Sequence, residues 1–165
     1  MRAPSVDDAT AVWELVSNEA NLELNSGYAY LLACSHFRET SLVVEAGGRL
    51  TGFIAGYRLP ASLDTLFVWQ IGVAAPHRGS GLGRRMLLDL LARSHSGGVR
   101  FLEATVTASN EPSQRLFRSV ARELDVPCEE SPLFTPDLFP SEGHETETLF
   151  RIGPFSADPH SPHSR

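Results

Sequence analysis

Gln70-Ile71-Gly72-Val73-Ala74-Ala75-Pro76-His77-Arg78-Gly79-Ser80-Gly81-Leu82-Gly83-Arg84-Arg85-Met86 decides the fold of this chain. Its first four residues close a β-branched and aromatic run that begins at Leu63, the pattern of a well-buried strand. Ala74-Ala75-Pro76 stops the strand and three alternating glycines follow. From Gly81 to Arg93 apolar residues recur at helical spacing until Gly97-Gly98 ends them. A strand, a glycine-rich loop and a helix in that order set a helix N-terminus beside the carboxyl end of a strand. Glycine lets backbone approach a bulky anion, the amides from Gly79 to Arg84 can donate to phosphate oxygens, and Arg78, Arg84 and Arg85 add formal charge. The stretch reads as a pyrophosphate site, with a plain tight connection and solvated arginines as the competing reading.

Composition narrows which pyrophosphate. The 14 basic residues are all arginine, against 20 acidic ones, for a net charge of −6. Without lysine, Schiff-base chemistry and the P-loop lysine are both excluded, and Gly83 is followed by Arg84 where a P-loop needs Lys. The glycine spacing is G-x-G-x-G, which only partly matches the G-x-G-x-x-G of dinucleotide folds. An overall acidic balance argues against a nucleic-acid binder. Cys34 and Cys128 make neither a disulfide framework nor a zinc site, so no metal is expected and both read as packed or surface thiols. The N-terminus has no signal-like apolar run and no stretch approaches a membrane span, so a cytoplasmic protein is expected.

Working outward, Ser5 to Asp8 has capping-box spacing and opens a helix over about 6–18. Tyr28, Leu31, Leu32, Cys34 and Phe37 predict a second helix from Ser26 to Arg38. Ser41 to Glu45, Gly47-Gly48 and Arg49 to Tyr57 predict a β-hairpin. Val99 to Val106 reads as a strand with Phe101, Glu103 and Thr105 on one face and Leu102, Ala104 and Val106 on the other. Asn110 to Arg122 predicts a helix with Pro112 in its first turn. Residues 125–144 read as a long loop, Glu147 to Ile152 as a last strand, and 153–165 as a disordered tail beyond a single domain of residues 1–152. The acids cluster: Glu123, Asp125, Glu129, Glu130, Asp137, Glu142, Glu145 and Glu147 lie between residues 123 and 150 without one arginine.

Arg78-Gly79-Ser80-Gly81-Leu82-Gly83 resembles the acetyl-CoA loop of the GNAT superfamily of N-acetyltransferases, Gln/Arg-x-x-Gly-x-Gly/Ala. The resemblance implies an α/β (α+β) GNAT fold: a mixed, mostly antiparallel sheet, splayed at a β-bulge and flanked by helices. It implies acetyl-CoA as co-substrate, contacted by the main chain of Ile71 and Val73 and by Arg78, Gly79, Ser80, Gly81, Gly83, Arg84 and Asn110, with Gly72 as a permissive bulge residue. The superfamily often has a tyrosine seven residues after that asparagine to protonate the departing thiolate; Phe117 stands there instead.

Three further segments are similar to the L-2,4-diaminobutyrate acetyltransferases, which acetylate a γ-amine on the way to the compatible solute ectoine: Leu22 to Leu32, Asp64 to Gln70, and Phe101 to Thr107. This implies a small diamino acid as partner and a homodimer. An aliphatic ammonium must lose a proton before it attacks, and the thioester then yields an oxyanion that a backbone donor near Ile71 can stabilise. No covalent intermediate is needed, and Cys34 and Ser80 are the weaker readings as nucleophiles. Candidates for amine binding or proton removal are Glu23, Glu103, His144 and Glu147, with Tyr28 and Trp69 as polar walls. Each has a plainer role to weigh: Glu23 as an acid ahead of a helix, Glu103 as a buried partner of Arg100 or Arg115, Trp69 as core, His144 as surface. Other amines, or a non-catalytic acyl-CoA sensor suggested by Phe117, remain as alternatives.

Overall fold

The computed structural model describes residues 1–18, 22–95 and 97–155. A six-stranded mixed sheet forms the centre, with strands β1 (Leu42–Ala46), β2 (Arg49–Leu59), β3 (Ser62–Val73), β4 (Phe101–Val106), β5 (Cys128–Phe134) and β6 (Glu147–Ile152). Their spatial order is β1-β2-β3-β4-β6-β5. Only β3 and β4 run parallel; the other neighbours are antiparallel. Helices α1 (Ala9–Ser17) and α2 (Gly27–Ser35) cover one face, and α3 (Leu82–His95) and α4 (Glu111–Glu123) the other.

Two cores follow from strand alternation. On β2, Ile54 packs with Leu66, Met86, Leu90 and Leu102 beneath α3 and α4. Its neighbours Phe53 and Ala55 pack with Val12, Val16, Tyr30 and Cys34 beneath α1 and α2. The helix predicted over 26–38 closes at Ser35, after which Phe37 turns to pack at a tilt against Tyr57, ring centroids 5.9 Å apart, and Thr40 Oγ1 donates to the Gly56 carbonyl at 2.7 Å.

Two expectations are corrected. The stretch 125–144 is not one loop: it contains β5, an edge strand antiparallel to β6. Every residue of β5 after Cys128 is exposed, so no apolar alternation marks it, and Pro132 sits where the register shifts, as an edge strand tolerates. The bulge is not at Gly72, which pairs in regular register with Phe53; it is at Trp69, since Ala55 faces Gln70 while Gly56 faces Val68. At the C-terminal end, Phe155 donates its backbone N–H to the Arg100 carbonyl at 2.7 Å and packs on the larger core. Residues 156–165 of the expected tail lie outside the described residues.

Candidate active site

The sheet opens where the bulge falls. β3 and β4 pair only from Thr65 to Phe67 against Phe101 to Glu103, and beyond that point they diverge. In an antiparallel strand the main-chain polar groups of successive residues face alternate edges. Ala74 N–H donates to the Thr51 carbonyl on β2, so Gly72 and Gln70 face β2 as well, and Val73 and Ile71 turn theirs to the opening. The Val73 carbonyl accepts a bond from Arg78 Nε at 3.1 Å, in keeping with that direction.

Below the opening lies a cavity of about 560 Å³, lined by Ile71, Gly72 and Val73, by the loop residues Arg78, Gly79, Gly81, Gly83 and Arg84, and by Asn110 to Ser119 along one face of α4. Gly79 and Gly81 have φ of +72° and +76°, values that L side chains rarely adopt, and a Cβ at either would project into open space. That bare cradle at the first amides of α3, with Arg78 and Arg84 on the wall, fits a diphosphate, and the groove running from it to Ile71 fits a slender arm. Arg84 also pairs with Glu123 at 2.9 Å. Gly83 has no positive φ, and a Cβ there would make an ordinary contact with Leu116 at 3.5 Å, so neither backbone conformation nor close packing of α3 on α4 requires the third glycine. Ser80 does not line the cavity, and its hydroxyl donates to the His77 carbonyl at 2.6 Å, bracing the turn. Asn110 caps α4, its side chain accepting from Ser113 N–H at 3.2 Å.

A second cavity of about 270 Å³ lies on the other side of the opening, with Glu23, Trp69, Gln70, Thr105, Phe117 and Glu147 among its walls. Leu22, Ile71, Asn110 and Ser113 line both cavities, so the two meet at the splayed strand. Glu23 and Trp69 are exposed and Glu147 half-buried, which leaves both carboxylates in reach of solvent and of a cation. Phe117 is buried against Phe150 and brings an apolar ring to the same wall.

The remaining candidates fall outside both cavities. Glu103 is buried, and its carboxylate is taken by Arg151 on β6, its cross-strand neighbour, rather than by Arg100 or Arg115. Tyr28 is 69% exposed on the outside of α2. His144 is exposed, stacked on Phe139 at 4.2 Å and within 3.1 Å of Ser141 Oγ. Cys34 is buried in the smaller core, and its burial pushes the thiol up to about 11, far from a nucleophile's range. Of the eight acids between residues 123 and 150, Glu123 binds Arg84, Glu130 binds Arg118, and Glu145 accepts from Ser109; Glu147 lines the second cavity. The acidic run is in part a set of clasps onto α3, α4 and the turn before α4.

Sequence reasoning missed Leu22, Tyr30 and Gln70. Tyr30 hydroxyl donates to Gln70 Oε1 at 3.1 Å and accepts from Asn25 N–H at 3.2 Å, while Gln70 Nε2 donates to the Glu23 carbonyl at 2.7 Å. A Cβ on Gly72 would come within 2.9 Å of Leu22 Cδ1, so this glycine admits a side chain over the strand. All three stand in or beside the segments singled out from sequence, but nothing in one dimension joins position 70 to position 23.

Residues 8–121 match the model of the acetyltransferase (GNAT) family. The L-2,4-diaminobutyric acid acetyltransferase of Virgibacillus pantothenticus is 50% identical over 151 residues, covering 92% of this chain and 95% of that protein. The chain belongs to the diaminobutyrate branch of the GNAT acetyltransferases. This GNAT enzyme is similar also to the relative of the same name from Streptomyces coelicolor, 44% identical across 93% of this chain and 92% of the other. Among solved structures, the diaminobutyrate acetyltransferase EctA from Paenibacillus lautus, in complex with its substrate L-2,4-diaminobutyric acid and coenzyme A, superimposes with a TM-score of 0.89 at 42% identity and 95% coverage of both chains. The ribosomal-protein-S18-alanine N-acetyltransferase of Escherichia coli, 19% identical with a TM-score of 0.71 over 98% of this chain and 97% of that one, shares the fold. No helix among the described residues is long and apolar enough to cross a membrane.

Proposed function

We propose that this enzyme transfers the acetyl group of acetyl-CoA to the γ-amine of L-2,4-diaminobutyrate, the acetylation step of ectoine biosynthesis, by direct attack in a ternary complex. The observation that carries this reading is the meeting of two cavities at Ile71, one with an anion cradle and the other with Glu23 and Glu147 on its walls. The loop residues Arg78, Gly79, Gly81 and Gly83, with Ser80 bracing their turn, and Arg84 hold the diphosphate, the main chain of Ile71 and Val73 aligns the pantetheine arm, and Asn110 borders it. When bound, acetyl-CoA supplies the activated thioester carbon at the junction.

On the acceptor side, Glu23 and Glu147 attract and orient the diamine, and Trp69 gives it an aromatic wall on which an ammonium can rest. The γ-ammonium loses its proton to Glu23 or Glu147, directly or through water, and the freed nitrogen lone pair attacks the thioester carbon. The Ile71 N–H, turned to the opening, donates to the oxyanion as it forms. Collapse breaks the carbon–sulfur bond while the attacking nitrogen releases its second proton to water, and yields the amide and a thiolate. Phe117 offers no proton at the place where a phenol would stand, so the thiolate leaves as such or takes a proton from water. Glu103 and His144 contribute through structure, given their engagement with Arg151 and with Phe139 and Ser141.

The reading includes a homodimer, supported by an edge strand β5 that leaves Leu133 and Phe134 exposed, and a cytoplasmic setting where acetyl-CoA is available. Its test is thiol release from acetyl-CoA with and without diaminobutyrate. Amine-dependent release with the product acetylated at the γ-nitrogen is expected; release at the rate of plain thioester hydrolysis overturns it.

A further inference from the structure

Glu23 lies on a segment that has no regular structure from Leu22 to Asn25, a weak foundation for a residue that must meet an amine to within a fraction of an ångström. Among the described residues, its backbone is tied to the sheet by the side chain of Gln70. Gln70, the residue between the bulge at Trp69 and Ile71, uses both ends of its amide: Nε2 donates to the Glu23 carbonyl and Oε1 accepts from Tyr30. Tyr30 comes up from the buried face of α2, 2% exposed and edge-on to Phe53 at 6.1 Å, and its hydroxyl also receives Asn25 N–H. The chemistry fixes the direction of each bond. A peptide carbonyl only accepts, so the amine end of Gln70 must face Glu23, and the Tyr30 hydroxyl must then donate to Oε1. Leu22, on the same segment, rests where Gly72 leaves space on β3.

We propose that Gln70 is a positioning residue which, with Tyr30, sets the height of Glu23 over the bulged strand and so the length of diamine the enzyme accepts; this rests on the acceptor reading above. Gln70 sits one residue from the proposed oxyanion donor and one from the aromatic wall. A single side chain thereby fixes the distance between the group that holds the amine and the strand that aligns the thioester. The carboxylate of Glu23 stays free for the substrate, since the bond to Gln70 uses its backbone.

The test compares Gln70→Glu, Gln70→Met and Tyr30→Phe with the unmodified enzyme, using α,ω-diamino acids one methylene shorter and longer than diaminobutyrate alongside it. Gln70→Glu keeps the shape and the bond from Tyr30 but sets a carboxylate oxygen against the Glu23 carbonyl. Expected are a KM for diaminobutyrate raised about tenfold or more and a narrowed preference among chain lengths, with the KM for acetyl-CoA within about twofold. Tyr30→Phe should show the same pattern at smaller size. The proposal is overturned if folded variants keep the diamine KM and the chain-length preference, or if both substrates' KM values rise together with falling thermal stability. If Gln70 variants do not fold, Tyr30→Phe decides on the same readouts. Failure of the unmodified enzyme to turn over any diamine overturns the acceptor reading instead, and is seen before any variant is made.

Discussion

Glu103 and Arg151 face each other across the antiparallel strands β4 and β6, the carboxylate buried and the guanidinium lying 3.8 Å from the ring of Phe101. The pair closes a charge inside the sheet without touching either cavity. Removing the cation alone strands a buried anion, so Arg151→Met is expected to lower unfolding free energy by about 3 kcal/mol, and Glu103→Gln by less. Urea denaturation at neutral pH reads both. Equal and negligible effects would show that the pair is solvated in solution.

Near the N-terminus, Arg2 holds both oxygens of Asp8 at 2.7 Å and lowers its carboxyl from 3.8 to about 2. A depressed carboxyl pKa adds stability that is complete above the unfolded value and disappears as pH falls through the folded one. Asp8→Asn should cost about 1–2 kcal/mol at pH 7, allowing for the exposed Arg2, and the gap to the unmodified protein should close as pH drops from about 4 to about 2. Parallel thermal melts along that pH series test the sign.

Gly72→Ala places a Cβ against Leu22 and should displace the side chain that borders both cavities. The expected result is a rise of a few fold in both KM values, relieved when Leu22→Ala is added, with a coupling of about 1 kcal/mol in the double-mutant cycle. Additive effects would mean that the two residues do not share a wall in the working enzyme.

Glu23→Gln and Glu147→Gln should each raise the diamine KM about tenfold and leave that of acetyl-CoA near its starting value. Attraction by two partly exposed carboxylates is screened over a Debye length of about 8 Å at physiological salt, so the KM of the unmodified enzyme should increase with ionic strength, and more weakly in either variant. A flat salt dependence would remove electrostatic capture from the account and leave hydrogen bonding alone.

The elements with an apolar period were legible in the sequence because burial imposes that period. Leu82, Met86, Leu87, Leu90 and Leu91 mark one side of α3 as plainly in the chain as in the fold. The anion cradle was legible for a different reason: Gly79 and Gly81 do their work within a few residues of each other. β5 was not, since an edge strand with exposed side chains carries no hydrophobic signal. Nor was the bulge, because Gly72 advertised permissiveness while Trp69, with no such mark, is the residue left without a partner. The acceptor cavity was half legible. Its carboxylates could be nominated, but Glu103 and Glu147 differ only in what stands across from them, and Gln70 is bound to a residue 47 positions away.

Trp69 also makes the cleft depend on the length of β3. One surplus residue on β3 reverses the parity of everything after it, and that reversal, more than any side chain, turns the main chain of Ile71 and Val73 towards the opening. Substitutions along this strand therefore alter affinities by degrees, whereas losing a single codon there would shut the cleft by letting the sheet zip onward. The reaction centre is guarded by a count of residues: a substitution here exchanges a letter, whereas an insertion or deletion changes the length of the word.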